Sequence, residues 1–162
     1  YEVITDSTNK KDEAYYLNTN EEYNFADNQV TRSWGTATPK RLEDEDAVNQ
    51  DGENILDDDG NQVINYGLKT EKKRIVKQQA SGLLAPTDWY VVKATEVADY
   101  DIPNNILSFR ADVRAKSNEM ETQIDACTTV DELKTLYEYV NTGTEENPVI
   151  ERPLAEFPKE VI

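Results

Sequence analysis

Apolar residues recur at helical spacing over one stretch of this chain only, and that stretch limits what it can fold into. From Leu68, one face carries Leu68, Ile75, Gln79 and Leu83, widened by Val76 and Leu84. Gly82 weakens this helix and Pro86 ends it. Thr87 is placed to cap a second helix, with Asp88 favourable near its positive end. Trp89, Val92 and Val91 are expected to bury its inner face, so Trp89 reads as core rather than as a stacking platform for a ligand. Pro103 suits the first position of a third helix, where a missing N–H costs nothing. Ile106, Phe109, Val113, Met120 and Ile124 then trace one stripe, with Arg110, Asp112, Arg114, Lys116, Glu119 and Glu121 on the other faces. Thr128 or Thr129, followed by Asp131 or Glu132, resembles a capping box. It opens a last helix whose stripe is Val130, Leu133, Leu136, Tyr137 and Val140.

Charge marks the ends of this helical centre. The 162 residues hold 17 Lys and Arg against 33 Asp and Glu, a net charge of −16. Residues 1–66 have 5 basic and 16 acidic groups, residues 67–141 have 10 and 12, and residues 142–162 have 2 and 5. A nearly neutral module is thus flanked by acidic segments, giving an expected division into 1–66, 67–141 and 142–162. A surface this acidic repels nucleic acid and anionic membranes, and neither is expected as a partner. The basic run Lys72-Lys73-Arg74 reads as a solvated face meeting acidic neighbours. No run approaches the roughly 20 apolar residues that span a bilayer. The start, Tyr1-Glu2-Val3-Ile4, has neither the cationic end nor the apolar core of a secretory signal. Without an initiator Met, it is expected to be a processed end or not the true one.

The N-terminal segment reads as short strands. Its aromatic and β-branched islands are Tyr1–Thr5, Ala14–Leu17, and Tyr23, Phe25, Val30 and Trp34, with Asn and Asp between them favouring turns. Pro39 and the run Glu43–Asp46 are expected to break regular structure into a solvated loop. A quasi-repeat follows, Gln50–Leu56 and then Asp58–Ile64, each setting an Asp-Gly before an apolar pair, eight residues apart. Asp-Gly suits tight turns, so Asn54–Asn65 reads as a β-hairpin turning at Asp59-Gly60. An EF-hand register fails here. With Gly60 sixth, position one is Ile55 and position twelve Tyr66; with Gly52 sixth, position one is Ala47. These carboxylates read as solvated turn decoration, and no metal or other cofactor is expected.

Catalysis finds little support. The chain has no His, no Gly-x-Ser-x-Gly elbow, no phosphate-binding Gly loop, and one cysteine, Cys127, read as a small buried filler. It is expected not to be an enzyme.

The signals Thr87-Asp88-Trp89, Ile102-Pro103 and Thr128-Thr129 ahead of Asp131-Glu132 resemble a helical module of tailed-bacteriophage tail and tail-fibre assembly proteins, over about residues 66–141. That resemblance implies a virion, by way of the host cytoplasm during assembly, and other virion proteins as partners in a multi-copy assembly. It fits a structural component of the tail or its fibres, a tail-fibre assembly factor that binds its partner and leaves, or a capsid or neck decoration protein.

Beyond Gly143, prolines alternate with single apolar anchors, Val149, Ile150, Leu154 and Phe157. Such a segment builds no core of its own but is stiffened for a groove in another protein. Ordering a residue costs on the order of 1–2 kcal/mol, which neighbouring chains would offset. The expected fold is therefore α+β: an irregular β-rich N-terminal region with a hairpin, three to four central helices, and an extended C-terminal arm. The expected interface residues are Tyr15, Tyr16, Tyr23, Phe25 and Trp34, together with those four tail anchors. For the N-terminal five, a small private core is the competing reading.

Overall fold

A computed structural model describes residues 2–159. Tyr1 of the first island and residues 160–162 of the expected arm lie outside the described residues. The fold is α+β, strands first and helices after, and it divides into two compact units, Tyr1–Leu68 and Lys69–Ile162. The expected third segment, as far as residue 159, belongs to the helical unit.

In the N-terminal unit, β1 (Glu2–Thr5) runs parallel to β4 (Gln29–Trp34), which pairs antiparallel with β3 (Glu21–Ala26). Asp27 and Asn28 join β3 to β4 with φ of 51° and 64°. A two-residue turn with both φ positive matches the right-handed twist of the strands it joins, and Asp and Asn tolerate that conformation best after glycine. A second pair is β2 (Tyr16–Leu17) with β5 (Thr38–Pro39), antiparallel, Tyr16 opposite Pro39. Pro39 thus lies in a strand rather than breaking one, at an edge where its missing N–H costs no ladder bond. Part of the acidic run is also regular: β6 (Glu45–Asp46) pairs with β7 (Ile64–Asn65).

The helical unit is built on an antiparallel pair, α1 (Leu68–Leu84) and α3 (Asn104–Ala126). At one end Lys73 pairs with Asp125 at 2.7 Å, and Lys77 with Glu121 at 3.2 Å. At the other, Ala80 packs with Phe109 and Val113, flanked by Leu83, Leu84 and Phe157. The exposed ion pairs add little, so the apolar seam carries the pairing. The buried stripe of α1 is Lys69, Val76 and Ala80, one residue beyond the expected face, and Ile75 is exposed. Lys69 takes part because its ammonium reaches the Asp125 carbonyl at 3.0 Å while its stem lies along the seam. The α3 stripe is buried at all five expected positions. Pro103 is the residue before this helix rather than its first member. Thr129 and Glu132 form the reciprocal capping box that opens α4 (Val130–Tyr137). Val130 and Leu133 of α4 are buried, whereas Val140 lies beyond its end, exposed.

The C-terminal segment is where the expectation fails most clearly. β8 (Val140–Asn141) pairs antiparallel with β9 (Ile150–Glu151), and the chain then folds back over its own helices. Gln123 of α3 donates to the Pro153 carbonyl at 3.0 Å and accepts from the Ala155 N–H at 2.8 Å. The Leu154 N–H donates to the Leu136 carbonyl, Leu154 is fully buried, and Phe157 packs on the α1–α3 core. The prolines leave few backbone donors, and two of them are served here, the Ala155 N–H by the Gln123 side chain and the Leu154 N–H by the Leu136 carbonyl. The groove that the tail was expected to seek in another protein is thus supplied for Leu154 and Phe157 by this chain.

Leu154→Ala is expected to destabilise the helical unit by about 2–5 kcal/mol, as a cavity-forming core truncation does. Ile150→Ala, on the exposed hairpin, should stay within about 0.5 kcal/mol. Urea unfolding followed by circular dichroism at 222 nm checks both, and equal effects would contradict the placement of the tail. Deleting residues 146–162 should likewise lower the midpoint of the helical transition.

Candidate interaction surfaces

The TDW tripeptide gains its meaning from a residue that sequence periodicity had left on an outer face. Arg110 of α3 is buried, 7% exposed. Its Nη1 lies 3.0 Å from the Leu84 carbonyl, 2.5 Å from Thr87 Oγ1 and 2.8 Å from Asp88 Oδ1. Leu84 ends α1, Ala85–Thr87 form one 3-10 turn, and Asp88 opens α2 (Asp88–Glu96). One guanidinium thus ties the whole α1–α2 corner to α3. Thr87 precedes α2 as expected but does not cap it through its side chain. Its hydroxyl, fully buried, donates back to the Leu84 carbonyl at 2.8 Å.

With Thr87 and Asp88 committed inward, Trp89 points out. It is 52% exposed, Val92 equally so, and α2 has no buried residue, which corrects the expectation that Trp89, Val91 and Val92 form an inner face. The Trp89 ring lies 4.2 Å from that of Tyr90, with the Lys93 ammonium over it at 5.3 Å. A stripe at helical spacing states that a face exists but not that anything covers it.

The N-terminal sheet separates the five aromatic residues. Residues opposite one another across a ladder share a face, so Val3, Val30 and Phe25 make one row and Thr5, Arg32 and Tyr23 the next. Trp34, opposite Glu21, completes that face. Trp34 is buried between two cations, with Lys10 at 5.0 Å and Arg32 at 4.8 Å from its ring. Arg32 Nε donates to Glu21 at 2.5 Å and the Tyr23 hydroxyl donates to the same carboxylate at 2.6 Å. These bonds, Arg32 first, hold the Glu21 carboxyl below its ordinary value. Val3, Tyr23 and Phe25 remain exposed. Tyr15 and Tyr16 are buried, Lys11 covering the Tyr16 ring at 4.3 Å. Tyr15, Tyr16 and Trp34 are therefore buried, whereas Tyr23 and Phe25 are exposed. Of the tail anchors, Val149 and Ile150 are exposed and Leu154 and Phe157 are not available.

Of the expected hairpin Asn54–Asn65, the structure has the Leu56–Gln62 turn, while Asn54 bridges Val48 and Asn65 pairs with Glu45. The two Asp-Gly loops of the quasi-repeat have the same construction. Asn49 Oδ1 accepts from the N–H groups of Asp51 and Glu53, at 2.9 Å each. Asp57 Oδ1 accepts from Asp59 and Asn61, at 3.0 and 2.8 Å. Gly52 and Gly60 have φ of 82° and 83°, where a side chain would be strained. Antiparallel bridges Val48↔Asn54 and Leu56↔Gln62 close the two loops, and β6–β7 supplies a third pairing. The three pairings meet in a closed ring of backbone bonds. Ala47 donates to Val63 O, Val63 to Ile55 O, and Ile55 to Ala47 O, at 2.8, 2.9 and 2.9 Å. Eight residues separate each member from the next, so the repeat period is that of the ring. A single turn at Asp59-Gly60 was legible from Asp-Gly alone; closure of three turns on one another was not.

Comparison with family models, with curated proteins and with solved structures returns no match.

Arg110→Ala is expected to destabilise the helical unit by about 1–3 kcal/mol, because it leaves the buried Thr87 hydroxyl short of a donor and opens a cavity. Asp88→Asn, at a solvent-facing carboxylate, should cost under about 1 kcal/mol. Urea midpoints decide this, and a neutral Arg110→Ala would remove its structural role. The Asp57 carboxyl is held below its ordinary value of 3.8 by the Asn61 N–H and side-chain amide, then by Asp59 and Gly60. A lowered folded pKa means that its stabilisation is complete above 3.8 and is lost as pH falls through the lower folded value. An NMR titration of the Asp57 carboxyl carbon should place its midpoint below 3.8; a midpoint at or above 3.8 would contradict the loop geometry.

Proposed function

We propose that this chain is a non-enzymatic structural component of a bacteriophage virion, in the tail or tail-fibre apparatus, acting through protein–protein contacts. The observation that carries the protein-contact part is the open sheet face. A chain with a net charge of −16 leaves Val3, Tyr23 and Phe25 exposed together on one side of three strands. Exposed aromatic residues gathered on a rigid face are what an interface uses for binding energy once water is excluded. The exposed Trp89 and Val92 of α2 add a second such surface on the helical unit. The virion part rests on the resemblance of the TDW and Ile-Pro signals to tail and tail-fibre assembly modules. Thr87 and Asp88 of the first signal meet Arg110 at the α1–α2 corner.

The test is the composition of particles. Quantitative mass spectrometry of purified virions should find this chain at a fixed copy number, retained through a density gradient. Presence in infected lysate with absence from the particles would overturn the structural reading. The sheet face has its own test: Phe25→Ser with Tyr23→Ser should leave the fold intact by circular dichroism and lower incorporation into particles at least several-fold.

A further inference from the structure

The ring at residues 45–65 has the symmetry of a trimer within one chain. A spiral would not return to its start, but the bonds from Ala47 to Val63, Val63 to Ile55 and Ile55 to Ala47 do. The three segments are therefore related by an approximate threefold rotation, with an eight-residue step. Equivalent positions fall on the same side of such a ring. Val48, Leu56 and Ile64 are one equivalent set, all three aliphatic. Val48 and Leu56 are exposed and Ile64 is half-buried, so one side of the ring carries an apolar set, one residue from each segment.

The charge follows the same pattern. Residues 42–68 hold nine Asp and Glu and no Lys or Arg. They sit at the three corners: Asp51 and Glu53 at one, Asp57, Asp58 and Asp59 at the next, and Glu43–Asp46 at the third, where Arg41 pairs with Glu45 at 2.9 Å and leaves the corner acidic on balance. The result is a threefold apolar set on one side of the ring with three acidic corners around it.

We infer that this ring caps the end of a threefold-symmetric protein partner, a homotrimer with an apolar terminal layer and basic residues around its rim. One chain would sit on the trimer axis, each subunit meeting one corner. Symmetry argues for this occupant because three identical subunits present the same surface three times, and only a threefold face can satisfy all three at once. Charge argues for it because the corners attract Lys and Arg, whereas a second copy of this chain would bring like charge against like. The inference deepens the reading of the chain as a component that acts through protein contacts.

The test uses the full chain and defined probes. These are a trimeric coiled-coil peptide with a terminal leucine layer ringed by lysines, a dimeric coiled coil of the same end composition, and the trimer with glutamates for lysines. Calorimetry at low salt should give one chain per trimer. Affinity for the lysine trimer should exceed that for the dimer and for the glutamate trimer at least tenfold, and should fall as salt is raised. Leu56→Ser should weaken trimer binding at least tenfold. Asp58→Lys with Asp59→Lys, at an exposed corner, should do the same, so the outcome does not hang on one variant that might misfold. No binding, equal binding to dimer and trimer, or three chains per trimer would overturn the inference. Particle composition is measured independently. A fixed copy number in virions alongside failure with these probes would leave the virion reading standing and remove the ring as the contact.

Discussion

The helical unit depends on one buried cation. A guanidinium brought out of water is costly unless its hydrogens meet acceptors, and Arg110 meets three of them at the corner between α1 and α2. Two of the three, the Leu84 carbonyl and the buried Thr87 hydroxyl, lie inside the corner, so its shape is tied to the guanidinium. From that constraint follow the end of α1 at Leu84, the inward Thr87 hydroxyl, and the outward placing of α2 with Trp89 in water. The α1–α3 seam then runs from this corner to the Lys73–Asp125 pair at the other end.

The N-terminal unit works on a different principle. It has few apolar residues, and its order comes from backbone bonds and short polar caps. Asn49 and Asp57 each satisfy two N–H groups of their own loop, and the ring uses backbone bonds to hold Ala47, Ile55 and Val63 together. The aromatic residues divide between buried rings, with cations over Trp34 and Tyr16, and the exposed Tyr23 and Phe25. Exposed apolar surface in such an acidic chain is a feature of both units.

Local signals were legible where the chemistry is local. The Thr129–Glu132 capping box, the α3 stripe, the α+β order and the Asp-Gly turns could be read because each depends on residues a few positions apart. The α1 face was displaced by one residue because Lys69 buries its stem, which a polar-outside rule does not allow for. Trp89 and Arg110 exchanged places relative to expectation, the aromatic residue outside and the cation inside. Hydrophobicity ranks residues by type, but here the acceptors at Leu84, Thr87 and Asp88 decided which one was buried.

By itself the sequence determined the charge, the helical periods, the turn chemistry and the eight-residue repeat, since these follow from covalent structure and short-range sterics. Tertiary structure alone decided that the proline-spaced tail lies on its own helices and that the repeat closes as a threefold ring. It also decided which apolar faces are covered. The physical reason is common to all three. Each is settled by donors and acceptors meeting across long separations, such as the Gln123 side chain with Pro153 and Ala155, or the backbone of Ala47 with Val63. No pattern along the chain encodes those meetings until the chain has folded.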